Sequence, residues 1–216
     1  MSTDLKVYKE ISCLIKYLTA ILLSLSIFSG CYSLSTFQSP VVLEKGEISG
    51  GFGFTGYIDQ EEGQLQFYEF DTFLRGGLLE DFEGGLKLYG FPALGGGLQG
   101  DFKYQVIEDP VFIAVDMAVF YALGPKIASE DYSHTYGYTP MILVGNKTFY
   151  CGYKYIIGFV DAGLSLGSSS RSLEAKAPAL IFGLTIGESF QIMPEINYYF
   201  GPDENLVMLG LGFQLK

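Results

Sequence analysis

The sequence predicts an all-β fold: an antiparallel up-and-down transmembrane β-barrel of about ten strands, eight to twelve by the count, preceded by an N-terminal signal helix. Three observations predict it. Period-two alternation recurs from Gly46 to Lys216, with no sustained 3.6-residue period. The connections between alternating stretches are tight and long by turns. The composition is apolar and open-textured, with 49% hydrophobic and 16% aromatic residues, 28 glycines and no Trp among 216 residues. The net charge of −11, without a basic block, excludes nucleic acid as a partner, because that affinity comes from Lys and Arg neutralising phosphates.

The first element is a targeting segment, residues 1–30. Lys6, Lys9 and Lys16 make a basic start, and Tyr17 to Phe28 is an uncharged run that ends in Ser29-Gly30-Cys31. That run is too short for the ~20 residues of a spanning helix. Phe28-Ser29-Gly30-Cys31 resembles the lipobox of bacterial lipoproteins, Leu-Ala/Ser-Gly/Ala-Cys, with Phe28 in place of the usual Leu. The resemblance implies lipid attachment at Cys31 and cleavage just before it. Tyr32-Ser33 stand where many inner-membrane lipoproteins carry Asp, so it also implies onward transport. An ordinary signal peptide cut near Gly30 is the alternative. Residues 31–45 then read as a lipid-anchored linker. Of the three cysteines, Cys13 leaves with the signal and Cys31 takes the lipid, so Cys151 stands alone and no disulfide framework is expected.

The barrel domain spans 46–216, with strands expected at 46–58, 65–78, 81–91, 95–107, 110–123, 138–145, 148–160, 177–187, 189–200 and 204–216. Most have the ~9–11 residues that a tilted transmembrane strand needs. In the fourth, Leu98, Gly100, Phe102, Tyr104 and Val106 oppose Gln99, Asp101, Lys103 and Gln105. In the fifth, Val111, Ile113, Val115, Met117, Val119 and Tyr121 oppose Ala114, Asp116 and Ala118. In the last, Leu209, Leu211 and Phe213 oppose Gly210, Gly212 and Gln214. Tight turns are expected at Leu79-Glu80, Glu108-Asp109, Asn146-Lys147 and Glu188, and long loops at Gly124–Gly137 and Asp161–Lys176. Short turns at one end and longer loops at the other give a barrel a periplasmic and an outer end.

Alternation leaves open which face points inward, and a soluble exported ligand-binding barrel would bury the apolar one. The charged face favours the inverted arrangement. It carries both signs at mid-strand: Glu69, Asp71, Arg75, Glu83, Lys87, Asp101, Lys103, Asp116, Lys154 and Glu195. Tyr68, Tyr89, Phe91, Tyr121, Tyr155, Phe159, Tyr198, Tyr199 and Phe200 gather toward the outer ends like an interfacial girdle, although Tyr89 and Tyr199 have inward parity. On these residues the segment 46–216 resembles small bacterial outer-membrane β-barrels of the OmpX/OmpA type. That resemblance implies the bacterial outer membrane as location, outer-membrane lipid and the barrel-assembly machinery as partners, and a monomer. The chain ends on Lys216, where such barrels usually end on Phe.

The sequence offers little chemistry. The sole histidine, His134, lies in a long loop near Asp131, which makes a membrane-embedded hydrolase the weakest reading. One His and one mature Cys make no zinc set, and no cofactor is expected. The acidic stretch Asp59 to Glu62 reads as a solvated tip. The expected function is therefore non-enzymatic: a structural or surface-interaction barrel whose lumen is plugged by its own charged side chains. A narrow pore for small solutes is the alternative.

Overall fold

In the computed structural model, residues 33, 35–58, 65–91, 95–125, 132–161, 172–201 and 205–216 are described. Cys31, Asp131 and the tip from Asp59 to Glu62 lie outside them. Ten strands follow in order: β1 Ile48–Ile58, β2 Leu65–Leu79, β3 Phe82–Phe91, β4 Gly95–Ile107, β5 Phe112–Pro125, β6 Tyr132–Gly145, β7 Phe149–Asp161, β8 Ser172–Leu184, β9 Phe190–Tyr199 and β10 Leu206–Leu215. Each pairs antiparallel with its sequence neighbour, and β1 closes on β10 from Gly50↔Leu215 to Tyr57↔Met208. Closure leaves no sheet edge in the wall, so the backbone is satisfied without water.

The expected strands and the observed ones differ mainly at two places. β6 begins at Tyr132, six residues before the expected start, and β8 at Ser172, five before. The ladder simply continues, with Tyr121↔Tyr136, Leu123↔His134 and Pro125↔Tyr132 across β5 and β6. Ser133, His134, Thr135 and Gly137 resemble loop composition, and they hide the alternation of Tyr132, His134 and Tyr136. The four short connections sit together at one end. At one of them Asn146 Oδ1 accepts the N–H groups of Thr148 and Phe149, both at 2.8 Å. At another, expected as Glu188 alone, the chain needs Thr185 to Ser189 and places Gly187 at φ +105°, a conformation open to glycine.

Polarity is inverted relative to a soluble barrel. Phe54, Phe70, Leu86, Phe102, Val119, Ile142, Phe182, Ile196 and Leu211 are exposed on the outer wall. All ten charged residues named above are buried inside it, none more than 5% exposed. An apolar belt outside and a charged interior are the polarity of a barrel that spans a membrane. Of the aromatic group, Tyr121 and Phe200 are exposed, while Tyr89 and Tyr199 are buried within, as their parity requires.

One segment departs from expectation. Ser33 and residues 35–43, part of the stretch 31–45 read as a linker, lie within the barrel: Ser33, Ser35, Thr36, Phe37, Gln38 and Leu43 are buried. The segment descends from mid-height to the short-turn end. There Lys45 bridges Gly77 in parallel and Gly46 N–H donates to Gly77 O at 2.8 Å, before the chain turns up into β1. The physical reason is volume. A barrel wall of this size encloses more space than side chains rich in glycine can fill.

Candidate functional site

The lumen holds two charge groups at different heights. The lower one is built by β2, β3 and β4, whose neighbouring lumen-facing positions put opposite charges side by side. Arg75 Nε pairs with Glu83, and Arg75 Nη2 lies 2.5 Å from Asp101 Oδ1. Lys103 Nζ lies 3.2 Å from the same Glu83. Gly85 makes this possible, because a Cβ there would lie 2.8 Å from both Asp101 carboxylate oxygens. Asp116 faces Lys103 across the β4–β5 ladder, and among the described residues its carboxylate oxygens have no hydrogen-bond partner.

In the upper group the inner segment stands between the charges. Ser33 Oγ donates to Glu69 Oε1 at 2.8 Å, and Ser35 Oγ donates to Asp71. Lys87 Nζ donates to Ser33 Oγ at 3.1 Å, Ser35 O at 2.9 Å and Ser35 Oγ at 3.1 Å, while standing 4.0 Å from Asp71. Glu195 accepts four hydrogen bonds: Thr36 N–H at 2.7 Å, Phe37 N–H at 2.8 Å, Tyr150 O–H at 2.9 Å and Asn197 Nδ2 at 2.7 Å. Lys154 Nζ donates to Thr36 Oγ1 at 3.2 Å and sits 5.2 Å above the Tyr199 ring. Lower down, Leu43 N–H donates to Glu83 at 2.8 Å, and Lys103 donates to Ser39 O and Val41 O at 3.0 and 3.2 Å.

Phe37 is the mechanical centre of this arrangement. It is 1% exposed, at φ +46°, a left-handed conformation that a bulky residue rarely adopts. Its ring fills a slot in the wall formed by Gly53 on β1 and Gly210 and Gly212 on β10. A Cβ at those positions would lie 2.3, 2.9 and 2.8 Å from it. Lys87 Nζ lies 5.8 Å from the ring centroid. Sequence reasoning named the charged wall but missed Ser33, Ser35, Thr36, Phe37, Tyr150 and Asn197. The available signal was the run of lumen-facing glycines on β1 and β10, which leaves a hollow that something must fill.

His134 lies in β6 and not in a loop, on the exposed outer face, where its Nδ1 is 2.5 Å from Tyr121 Oη. It belongs to the outer aromatic band and faces away from the lumen. Among the described residues no group of three His, Cys, Asp or Glu side chains is placed to hold a metal.

No protein-family model matches the chain, and no curated protein does. Solved structures similar to it include the backbone structure of the outer membrane protein Ail of Yersinia pestis in a phospholipid bilayer nanodisc. That likeness has 16% identity and a TM-score of 0.40, and covers 79% of this chain and 100% of that one. A crystal structure of Ail, the attachment invasion locus protein of Yersinia pestis, in complex with the heparin analogue sucrose octasulfate, aligns at 15% identity. Its TM-score is 0.26, over 79% of this chain and 98% of that one.

Proposed function

We propose that this chain is a bacterial outer-membrane barrel that works at the cell surface with its lumen closed, as an interaction protein and not as a solute channel. The observation that carries the reading is an asymmetry of the wall. β2 and β4 to β8 have 13 to 15 residues, against 10 or 11 in β1, β3, β9 and β10, and the sharpest step is between β8 and β9. The excess lies at the long-loop end, where β7 and β8 stay paired up to Asp161↔Ser172. β8 pairs with β9 only from Ala179↔Tyr199 to Gly183↔Glu195.

Above that seam β8 stands past its shorter neighbour β9. Pro178 O accepts Phe200 N–H at 3.0 Å, so by alternation the backbone groups of residues 172 and 174 point to the same side. Among the described residues no strand pairs with Ser172–Ala175 on that side. A strand edge of this kind accepts an extended segment of another protein through main-chain hydrogen bonds. The closed lumen complements this role, since a filled barrel is a rigid mount for the projecting sheet.

A bacterium displaying the chain is expected to gain retention on protein-coated surfaces. Glu174→Pro removes one N–H from the projecting edge and leaves the spanning wall intact, so most of the gain should disappear. No gain from the unsubstituted chain, once its surface display is verified, refutes the surface role.

A further inference from the structure

We propose that residues 33–45 are a captive plug, and that its withdrawal turns the barrel into a narrow conduit for small cations. The proposal rests on reading the barrel as membrane-spanning.

The wall treats the segment as a bound peptide. Glu195 and Glu83 accept its N–H groups, at Thr36, Phe37 and Leu43. Lys87 and Lys103 donate to its carbonyl oxygens, at Ser35, Ser39 and Val41. Phe37 enters a slot shaped by three glycines. Yet among the described residues no backbone ladder ties the segment to the wall above Lys45, whose bridge to Gly77 sits at the short-turn end. Side-chain hydrogen bonds and one aromatic ring hold the rest. The segment can therefore leave without breaking a strand, hinged where it joins β1.

The charges it leaves behind set the selectivity. Arg75, Glu83, Asp101 and Lys103 form a paired lower group that is neutral in sum. The rest of the buried set is Glu69, Asp71, Asp116 and Glu195 against Lys87 and Lys154, an excess of two acids. Water entering the vacated volume would hydrate an acidic lumen, which favours cations. The vacated bore is about as wide as the single peptide segment that filled it, so small ions pass and larger solutes do not.

A reversible lock tests this. A Cβ on Gly212 would lie 3.4 Å from the Phe37 Cβ, close to disulfide geometry. The variant is Phe37→Cys with Gly212→Cys in the full chain, with Cys151 replaced by Ser and Cys31 kept so that processing is unchanged, recorded in planar bilayers across a KCl gradient. Oxidised protein is expected to be silent. Reduced protein, which has lost both the lock and the ring, is expected to open in steps smaller than those of general porins, with a reversal potential on the cation side. A second variant lacking residues 35–42, its folding checked by gel mobility before and after boiling, should conduct constitutively with the same selectivity. Reduced and deleted forms that fold but stay silent, or that select anions, overturn the plug. Steady conductance by the unsubstituted chain overturns the closed lumen itself, so the two failures are distinguishable.

Discussion

Arg75→Leu tests whether the lumen is dry and paired or merely wet. Arg75 contacts Glu83 and Asp101 at once, and all three side chains are at least 95% buried. Its loss does not strand both acids equally. Glu83 keeps Lys103 at 3.2 Å and the Leu43 N–H at 2.8 Å. Asp101 loses the guanidinium that lies 2.5 Å away. One carboxylate is left buried without its cation, and breaking a buried pair in this way costs about 3–5 kcal/mol. The double variant Arg75→Leu/Asp101→Leu removes the stranded charge along with its partner. It should recover most of the loss, because replacing a buried pair with apolar groups is often near neutral. Urea unfolding in lipid vesicles, followed by far-ultraviolet circular dichroism because the chain has no Trp, measures both. If Arg75→Leu unfolds within about 0.5 kcal/mol of the parent, as exposed substitutions do, the lumen is hydrated and the pairing argument fails.

Three further outcomes are expected. Leu211→Arg, on the exposed face midway along β10, should destabilise by about 2–4 kcal/mol if that position lies at the bilayer midplane, and equal stability in vesicles would contradict the outward assignment. Gly212→Ser, one residue further on, should shift the same unfolding curve measurably, because its Cβ would stand 2.8 Å from the Phe37 ring; Gly212→Ser combined with Phe37→Ala should be milder than the single change, and a worse double variant counts against the slot. Cys31→Ser should abolish incorporation of labelled palmitate and leave an uncut precursor, whereas normal cutting with no lipid on the parent chain removes the lipid-anchor reading.

The wall was legible because a spanning strand has one dominant constraint. Every second residue meets lipid, so Leu98, Phe102 and Tyr104 had to alternate with Gln99, Asp101 and Lys103, and one strand of such a pattern fixes the parity of the next. Where lipid no longer acts, legibility falls. Tyr132 to Gly137 and Ser172 to Lys176 continue their ladders beyond the shorter strands, and polar residues suit either face there. His134 shows the same limit, since its composition suggested a loop and its pairing with Leu123 places it in a strand.

The segment from Ser33 to Lys45 was illegible for a deeper reason. It has no regular structure, so no period marks it, and its N–H groups, hydroxyls and carbonyls are read by side chains up to 159 residues away in sequence, as where the Thr36 N–H donates to Glu195. Its evidence in the sequence is indirect and lies in the wall. A lumen sized for ten strands, lined at Gly53, Gly210 and Gly212 by nothing larger than hydrogen, cannot close on itself. Charges placed around such a hollow must then find partners across it, or water. Acids outnumber bases six to four among the buried charged residues named here, so pairing within the wall alone leaves carboxylates over. The N–H groups of Thr36, Phe37 and Leu43 and the hydroxyls of Ser33 and Ser35 supply donors to Glu69, Asp71, Glu83 and Glu195, and Asp116 stays without a hydrogen-bond partner among the described residues. Excess acid and missing volume are two independent defects of the wall, and one short polar segment carrying a single aromatic ring fills the volume and hydrogen-bonds four of the six acids.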